Sequence, residues 1–330
     1  MALRSRIIGT GSYAPPRVVT NDEMAKLVDT NDQWIQERSG IKTRRLVDYE
    51  GAMSTADMAE HAARTALESA GLTAMDLDLI IVGTVTPDMR VPSCACILQD
   101  KLGAKKAAAF DVLAACAGSM FALSVADKFL RAGTVKRILV VGAETLSVIT
   151  NWTDRSTCVL FGDAAGAFVV EAGPEEGPGL LDTAVYSDGS TWKHLYIPAG
   201  GSKTPLTPEL LVARQDRLIM NGREVYKIAV RSLVDAAQKI LEKNGLTAKD
   251  VDLVVAHQAN LRIIEAVADR VEIPLERFVI NIDRYGNTSS ASAFLTFDEA
   301  VRTGRMKPGS KVLMLAIGAG MCWAAALYRA

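Results

Sequence analysis

Cys116 is the residue whose surroundings best suit chemistry. In FDVLAACAGSMFAL an apolar run ends near Val112, and a helix of small and apolar residues is predicted to begin at about Cys116. A cysteine at a helix N-terminus meets exposed N–H groups and the positive end of the macrodipole, so its thiol should acidify. Ala114, Ala115, Ala117 and Gly118 leave room for a substrate to reach the sulfur. The plain alternative is a buried, inert cysteine. His257 closes the apolar run VDLVVA, at the kind of strand end where α/β proteins collect functional groups. A hydrogen-bonded structural histidine would look the same. Asn287, in DRYGNTSSAS, follows FVINI and precedes an Ala-rich helix, so helix capping competes with a functional role. The three make chemical sense together. Nucleophilic catalysis needs a thiolate and a neighbour that handles protons or charge, and an amide adds a fixed neutral donor for a developing oxyanion. The glycine-rich AIGAGMCWAAAL could aim backbone N–H groups at a substrate oxygen, or be a plain hairpin. FGDAAGAF (161–168) reads as close backbone packing, and the early G-T-G-S-Y lacks dinucleotide-binding spacing.

The elements that must position these residues alternate. Helices are predicted over 54–70, capped by Ser54 or Thr55 and stopped by Gly71, and over 223–243. Strands are predicted over 78–84, 107–112, 137–143, 251–256, 277–282 and 311–317. Apolar strands between helices point to parallel sheets covered on both faces. The uncharged stretch 312–328 raises a membrane question, but its central glycines fit two buried strands and a tight turn. GLTAMDLDL (71–79) returns as GLTAKDVDL (245–253), with seven of nine positions identical and an offset of 174. The same offset maps Ile138–Val141 onto Val312–Leu315, so the chain reads as two similar fused halves.

A length of 330 residues fits two domains or one pseudo-symmetric unit. The 49% hydrophobic and 23% charged composition is that of a soluble globular chain. A net charge of −1 gives none of the basic excess of a nucleic-acid binder. MALRSRIIGTGSYAPP has no long apolar core, so no secretory signal is expected. Five scattered cysteines then read as thiols of a reducing cytoplasm. Three histidines and a lone C-x-C argue against a zinc site.

The motifs NDQWIQERSGI (31–41), VPSCACILQDKLG (91–103), FDVLAACAG (110–118), DRSTCVLFGDAAGA (154–167), HQANLRII (257–264), GNTSSAS (286–292) and GAGMCWAAAL (318–327) span nearly the whole chain. With them the sequence resembles the β-ketoacyl-acyl carrier protein synthase III family, the condensing enzymes that start bacterial type II fatty acid synthesis. The resemblance implies an α/β, thiolase-like five-layered fold built from two pseudo-symmetric βαβαβαβ halves. These would be residues 1–175, carrying the nucleophilic cysteine, and 176–330, carrying the His and Asn. It implies that Cys116 takes an acyl group from a short acyl-CoA, with backbone N–H groups of Cys116 and Ala319 as the oxyanion site. His257 and Asn287 would then assist decarboxylative condensation with malonyl-acyl carrier protein. Trp34, Arg38, Arg155, Gly222 and Asn260 match CoA-contacting positions. Lys227, Arg262 and Arg270 match a patch that docks the acidic carrier protein. No metal or redox cofactor, nucleic acid or membrane partner is implied, and a cytoplasmic homodimer is expected.

The sequence departs from the family pattern in three places. Ala319 stands where a glycine is usual, Asp269 where a lysine is frequent, and Val91 where a bulkier residue would limit the primer pocket from the neighbouring subunit. Valine there predicts tolerance of primers beyond acetyl. These departures keep a second reading open: a related condensing or acyl-transfer enzyme of secondary metabolism that supplies a polyketide starter. A degradative thiolase would want a second cysteine as base, and a catalytically dead scaffold would not keep Cys116, His257 and Asn287.

Overall fold

Thr73 and Thr247, third in each repeated nonapeptide, fold the same way. Each forms a reciprocal capping box, with Thr73 N–H donating to Asp76 at 2.9 Å and Thr247 N–H to Asp250 at 2.8 Å. The preceding helices both stop at a left-handed glycine, Gly71 at φ +66° and Gly245 at φ +64°. The carboxylates of Asp78 and Asp252 then accept from Arg137 N–H at 3.0 Å and Lys311 N–H at 2.8 Å, which fixes strand register. Leu79–Val82 accordingly pair in parallel with Ile138–Val141, and Leu253–Ala256 with Val312–Leu315, at the same offset of 174. This computed structural model describes residues 3–48 and 53–330. Met1 and Ala2 of the N-terminal run lie outside them.

The first sheet contains β1 (Leu3–Tyr13), β2 (Leu79–Gly83), β3 (Ala108–Val112), β4 (Arg137–Glu144) and β5 (Ala164–Pro174), in the order β1-β5-β4-β2-β3. The second contains β6 (Gly179–Ser187), β7 (Leu253–Ala256), β8 (Lys311–Gly318) and β9 (Cys322–Arg329), in the order β7-β8-β9-β6. The helices that matter here are α1 (Asp32–Ser39), α2 (Thr55–Ala70), α3 (Cys94–Leu102), α4 (Gly118–Arg131), α5 (Gly222–Lys243), α6 (Leu261–Val271) and α7 (Ala291–Arg302). α2 and α3 cover the outer face of the first sheet, α4 and α7 lie between the sheets, and α5 and α6 cover the outer face of the second. This is the five-layered α/β arrangement expected.

The inner strands β2, β4, β7 and β8 are buried on both faces, so they read as nearly unbroken apolar runs. Along β4, Leu139 and Val141 pack toward α2, while Ile138 and Val140 pack toward α4 and α7. In the central layer the Phe168 and Phe294 rings stack at 3.8 Å between centroids. Residues 312–328 lie in the β8–β9 hairpin, and among the described residues no helix is long and apolar enough to cross a membrane.

Two expectations are corrected. The sheets are mixed: β1, β5, β6 and β9 pair antiparallel, because apolarity on both faces reports helical cover rather than strand direction. Residues 277–282 make no strand beyond the single bridge Val254–Phe278. The Gln258 side chain takes the place of a ladder partner there. It donates to Val279 C=O at 3.1 Å and accepts from Asn281 N–H at 3.1 Å and Ile282 N–H at 3.2 Å.

Candidate active site

Cys116 lies in a 3-10 turn, Ala115–Ala117, and the α-helix proper starts two residues later at Gly118. Ala115 sits at φ +47°, a left-handed conformation that costs a non-glycine residue about 1 kcal/mol or more and persists only where the surroundings enforce it. Gly318, at the end of β8, provides part of that enforcement. A side chain there would bring its Cβ within 2.4 Å of the Cys116 nitrogen and 2.9 Å of the Ala114 oxygen. The bare glycine therefore lets the Gly318–Met321 turn lie flush against the backbone of Cys116, with Ala319 on the cavity wall.

His257 follows β7 and is buried, 3% exposed. Its Nδ1 lies 2.7 Å from the Ser292 hydroxyl at the start of α7. Asn287 does not cap α7; Ser290 holds that position. Instead Asn287 is clamped by its backbone, donating to Leu160 C=O at 2.8 Å and accepting from Gly162 N–H at 3.0 Å. The 161–168 motif thus acts through backbone contact, as read. The Asn287 carbonyl oxygen Oδ1 accepts from Ser289 N–H at 2.9 Å, which leaves the amide's donor end for the cavity. Ser289 reaches this bond in a left-handed conformation, φ +51°.

Glu144 ties these loops together and was not foreseen. Wholly buried at the end of β4, it accepts from Val85 N–H and from the hydroxyls of Thr86 (2.8 Å), Ser289 (3.1 Å) and Ser290 (2.9 Å). Burial pushes its carboxyl above the usual range, and these hydrogen bonds oppose that. The only hints in the sequence were an acidic residue closing an apolar strand and the run of serines after Asn287.

The expected acidification of Cys116 is overturned. Burial, assisted by the Glu144 charge and opposed by the Ser289 hydroxyl, pushes the thiol up to about 12. The resting group is therefore a thiol. Burial also lowers His257 to about 3, so its ring is neutral at physiological pH. Below its pKa a thiol gains thiolate about tenfold per pH unit. Alkylation of Cys116 by iodoacetamide in the free protein should therefore climb about tenfold per unit from pH 6 to 9. A plateau near pH 7, followed on the mass-identified Cys116 peptide, would restore the dipole-dominated picture.

One cavity of about 1060 Å³ joins these groups. Cys116, His257, Asn287 and Ala319 line it, as do Trp34, Arg38, Gly222, Lys227, Asn260 and Arg262. Arg155, Arg270 and Val91 do not. The Arg155 guanidinium lies 5.0 Å from the centre of the Trp34 ring and donates to Asp29 C=O at 2.8 Å. A flat ring between them needs two van der Waals contacts, roughly 7 Å, so Arg155 must swing outward to admit one. Asn260 spends its side chain on local structure, capping α6 through Arg262 N–H at 2.9 Å and donating to Arg38 C=O at 2.9 Å. Lys227 is paired with Glu224 at 2.7 Å. Arg270 is exposed near the end of α6, and Val91 stands on the surface, 83% exposed.

Known proteins resemble this chain throughout its length. Residues 110–189 match the family described as 3-oxoacyl-[acyl-carrier-protein (ACP)] synthase III, and residues 241–330 match its C-terminal part. The β-ketoacyl-[acyl-carrier-protein] synthase III of Methylococcus capsulatus is 50% identical over 100% of both chains. That of Caldanaerobacter subterraneus is 48% identical over 98% of this chain and 97% of its own. The crystal structure of the Aquifex aeolicus 3-oxoacyl-[acyl-carrier-protein] synthase III superposes with a TM-score of 0.91 at 44% identity, covering 99% of this chain and 100% of that one. The priming β-ketosynthase of the R1128 polyketide pathway superposes with a TM-score of 0.91 at 35% identity, covering 99% and 97%.

Proposed function

The chain belongs to the β-ketoacyl-acyl carrier protein synthase III family, and we propose that Cys116, His257 and Asn287 divide its two half-reactions between them. The protein is an initiating condensing enzyme of type II fatty acid synthesis, an acyltransferase. The polyketide-starter reading is not favoured, because relatives at about half identity carry the fatty-acid enzyme's name. The observation that carries the division of labour is the convergence of a thiol, a neutral imidazole, an outward-facing amide and a backbone turn on one cavity.

In the first half-reaction the Cys116 thiol surrenders its proton as the sulfur attacks the thioester carbon of a short acyl-CoA. The carbonyl oxygen becomes an oxyanion held by the backbone N–H groups of Cys116 and Ala319. Collapse breaks the carbon–sulfur bond to CoA, and the departing thiolate takes up a proton. Trp34, Arg38 and Arg155 hold the CoA at the mouth, with Gly222 and Asn260 along the tunnel wall. Holding the thioester beside a fixed sulfur makes attack effectively intramolecular, which offsets the weak acidity of the thiol.

In the second half-reaction malonyl-acyl carrier protein enters by the same mouth and docks on Lys227, Arg262 and Arg270. Asp269, on the same helix surface, narrows the acceptable carriers. His257 Nε2–H and the Asn287 amide donate to the malonyl thioester oxygen. Loss of CO₂ leaves an enolate on that oxygen, and its carbon attacks the acyl-Cys116 carbonyl, releasing the Cys116 thiolate, which takes up a proton from solvent to restore the resting thiol. Decarboxylation drives the step, so the reading needs no metal or redox cofactor. It further takes the protein to work in the cytoplasm as a homodimer of chains with halves 1–175 and 176–330. The apolar side chains of Val91 and Leu113, 83% and 80% exposed, are surface that a second subunit would cover.

The test is turnover of acyl-CoA and malonyl-acyl carrier protein, with release of one CO₂ per β-ketoacyl product. With valine at position 91, butyryl- and isobutyryl-CoA should acylate within about tenfold of acetyl-CoA, because the wider pocket avoids the roughly 1–3 kcal/mol, about 10- to 200-fold, that a methylene costs where it does not fit. A steep fall from acetyl onward would remove Val91 from the primer pocket. Turnover only with a carrier protein of another pathway would favour the polyketide-starter reading.

A further inference from the structure

We infer that the hydroxyl of Ser292 holds the His257 ring in the tautomer protonated at Nε2, which makes Ser292 a positioning residue for the condensation step. The inference deepens the proposed role of His257 and rests on it.

The argument is a proton count. Ser292 is 1% exposed and does not line the cavity, so water is not at hand to satisfy its hydroxyl. The Ser292 oxygen lies 2.7 Å from His257 Nδ1 and accepts from Gln258 N–H at 2.9 Å. A hydroxyl has one proton to give and two lone pairs to receive with. Gln258 N–H occupies one lone pair. Among the described residues no other hydrogen bond reaches this oxygen, so its proton has one acceptor, Nδ1. The opposite arrangement would aim two N–H donors at the oxygen and strand a buried hydroxyl proton, which is the expensive way to leave a hydrogen bond unmade. Burial keeps the ring neutral, so it carries a single proton. With Nδ1 accepting, that proton is on Nε2, the other ring nitrogen.

The frame around this bond is rigid. The Gln258 side chain makes four hydrogen bonds, to Ala256 C=O (2.9 Å), Val279 C=O (3.1 Å), Asn281 N–H (3.1 Å) and Ile282 N–H (3.2 Å). Its own N–H cannot drift from Ser292. Ser292 is itself held by the α7 backbone, and its C=O accepts from the Thr296 hydroxyl at 2.7 Å. His257 thus acts as a donor with a preset direction. It does not compete for the Cys116 proton.

Imidazole nitrogen NMR tests this directly, because the chain has only three histidines and a His257→Asn variant assigns the signal. The wild-type protein should show the neutral Nε2-protonated ring. A ring protonated at Nδ1, or an imidazolium, overturns the inference without any variant having to fold. Ser292→Ala should shift the ring toward the other tautomer. It should slow condensation by about 10- to 100-fold, the scale of one lost buried hydrogen bond, with a much smaller change in the rate of Cys116 acylation. Ser292→Thr keeps the hydroxyl and should restore most of the loss. Equal loss in both half-reactions, or condensation unchanged in Ser292→Ala, overturns the positioning role. A wild-type protein that shows the Nε2 tautomer yet never condenses would sink the proposed function and leave the tautomer assignment standing.

Discussion

Cys116→Ala should yield a folded protein that takes up no acyl group from any acyl-CoA and loses β-ketoacyl product by at least about 10⁴-fold, the scale seen when a nucleophile is removed. The substitution deletes one sulfur at the cavity wall rather than in the packed core, so the fold should tolerate it. Its neighbours are held independently: Gly318 lies against the backbone of residues 114–117, and Glu144 holds Ser289 and Ser290. The three-residue turn and its left-handed Ala115 should therefore persist. Cys94, Cys96, Cys158 and Cys322 offer no replacement, because none of them lines the cavity. Intact mass and a product assay on the variant check both statements. An acyl adduct surviving on Cys116→Ala would move the nucleophile elsewhere.

His257→Ala and Asn287→Ala should behave differently from Cys116→Ala and like each other. Each removes one donor aimed at the enolate oxygen, and a single oxyanion donor is worth about 10²–10³ in rate. Acylation of Cys116 uses backbone N–H groups, so it should survive in both variants. Condensation and CO₂ release should fall by about 10²–10³ in each. The double variant should lose less than the product of the two, because both donors serve one oxygen. His257 stays neutral well above a pKa of about 3, so the Asn287→Ala loss should not be rescued between pH 5 and 9. Rates of adduct formation and of malonyl decarboxylation, measured separately, decide it. Loss of acylation in His257→Ala would make the imidazole the base for Cys116.

The parts of this molecule that were legible in the sequence are the local ones. The nonapeptide repeat announces a capping box and a strand start, both built from residues within nine positions of each other, and it recurs at one offset. Cys116 stood out because a strand-to-helix turn with small neighbours can be read from a few consecutive letters. What failed was whatever a distant residue decides. The helix dipole at Cys116 can be read locally, but the burial and the Glu144 charge that outweigh it come from the packed fold. FVINI has the composition of a strand, yet Gln258, some twenty residues earlier in the chain, occupies its hydrogen bonds. Asn287 looked like a helix cap because capping is what Asn most often does before a helix. The bridge to Phe161 and the Glu144 bonds to Ser289 and Ser290 show that distant residues hold the loop instead. Ser292 was overlooked for the same reason, since nothing in its neighbourhood names a histidine 35 positions away.

The central claim is that Cys116 carries the acyl group between two half-reactions in one cavity. The most direct test is a single-turnover chase followed by intact mass spectrometry. The protein is mixed with acetyl-CoA, freed of CoA, and then given malonyl-acyl carrier protein. One acetyl adduct per chain should form on Cys116 and then vanish at the rate at which acetoacetyl-acyl carrier protein and CO₂ appear. An adduct that forms but stays in place while product accumulates, or product formed with no adduct at all, would contradict it.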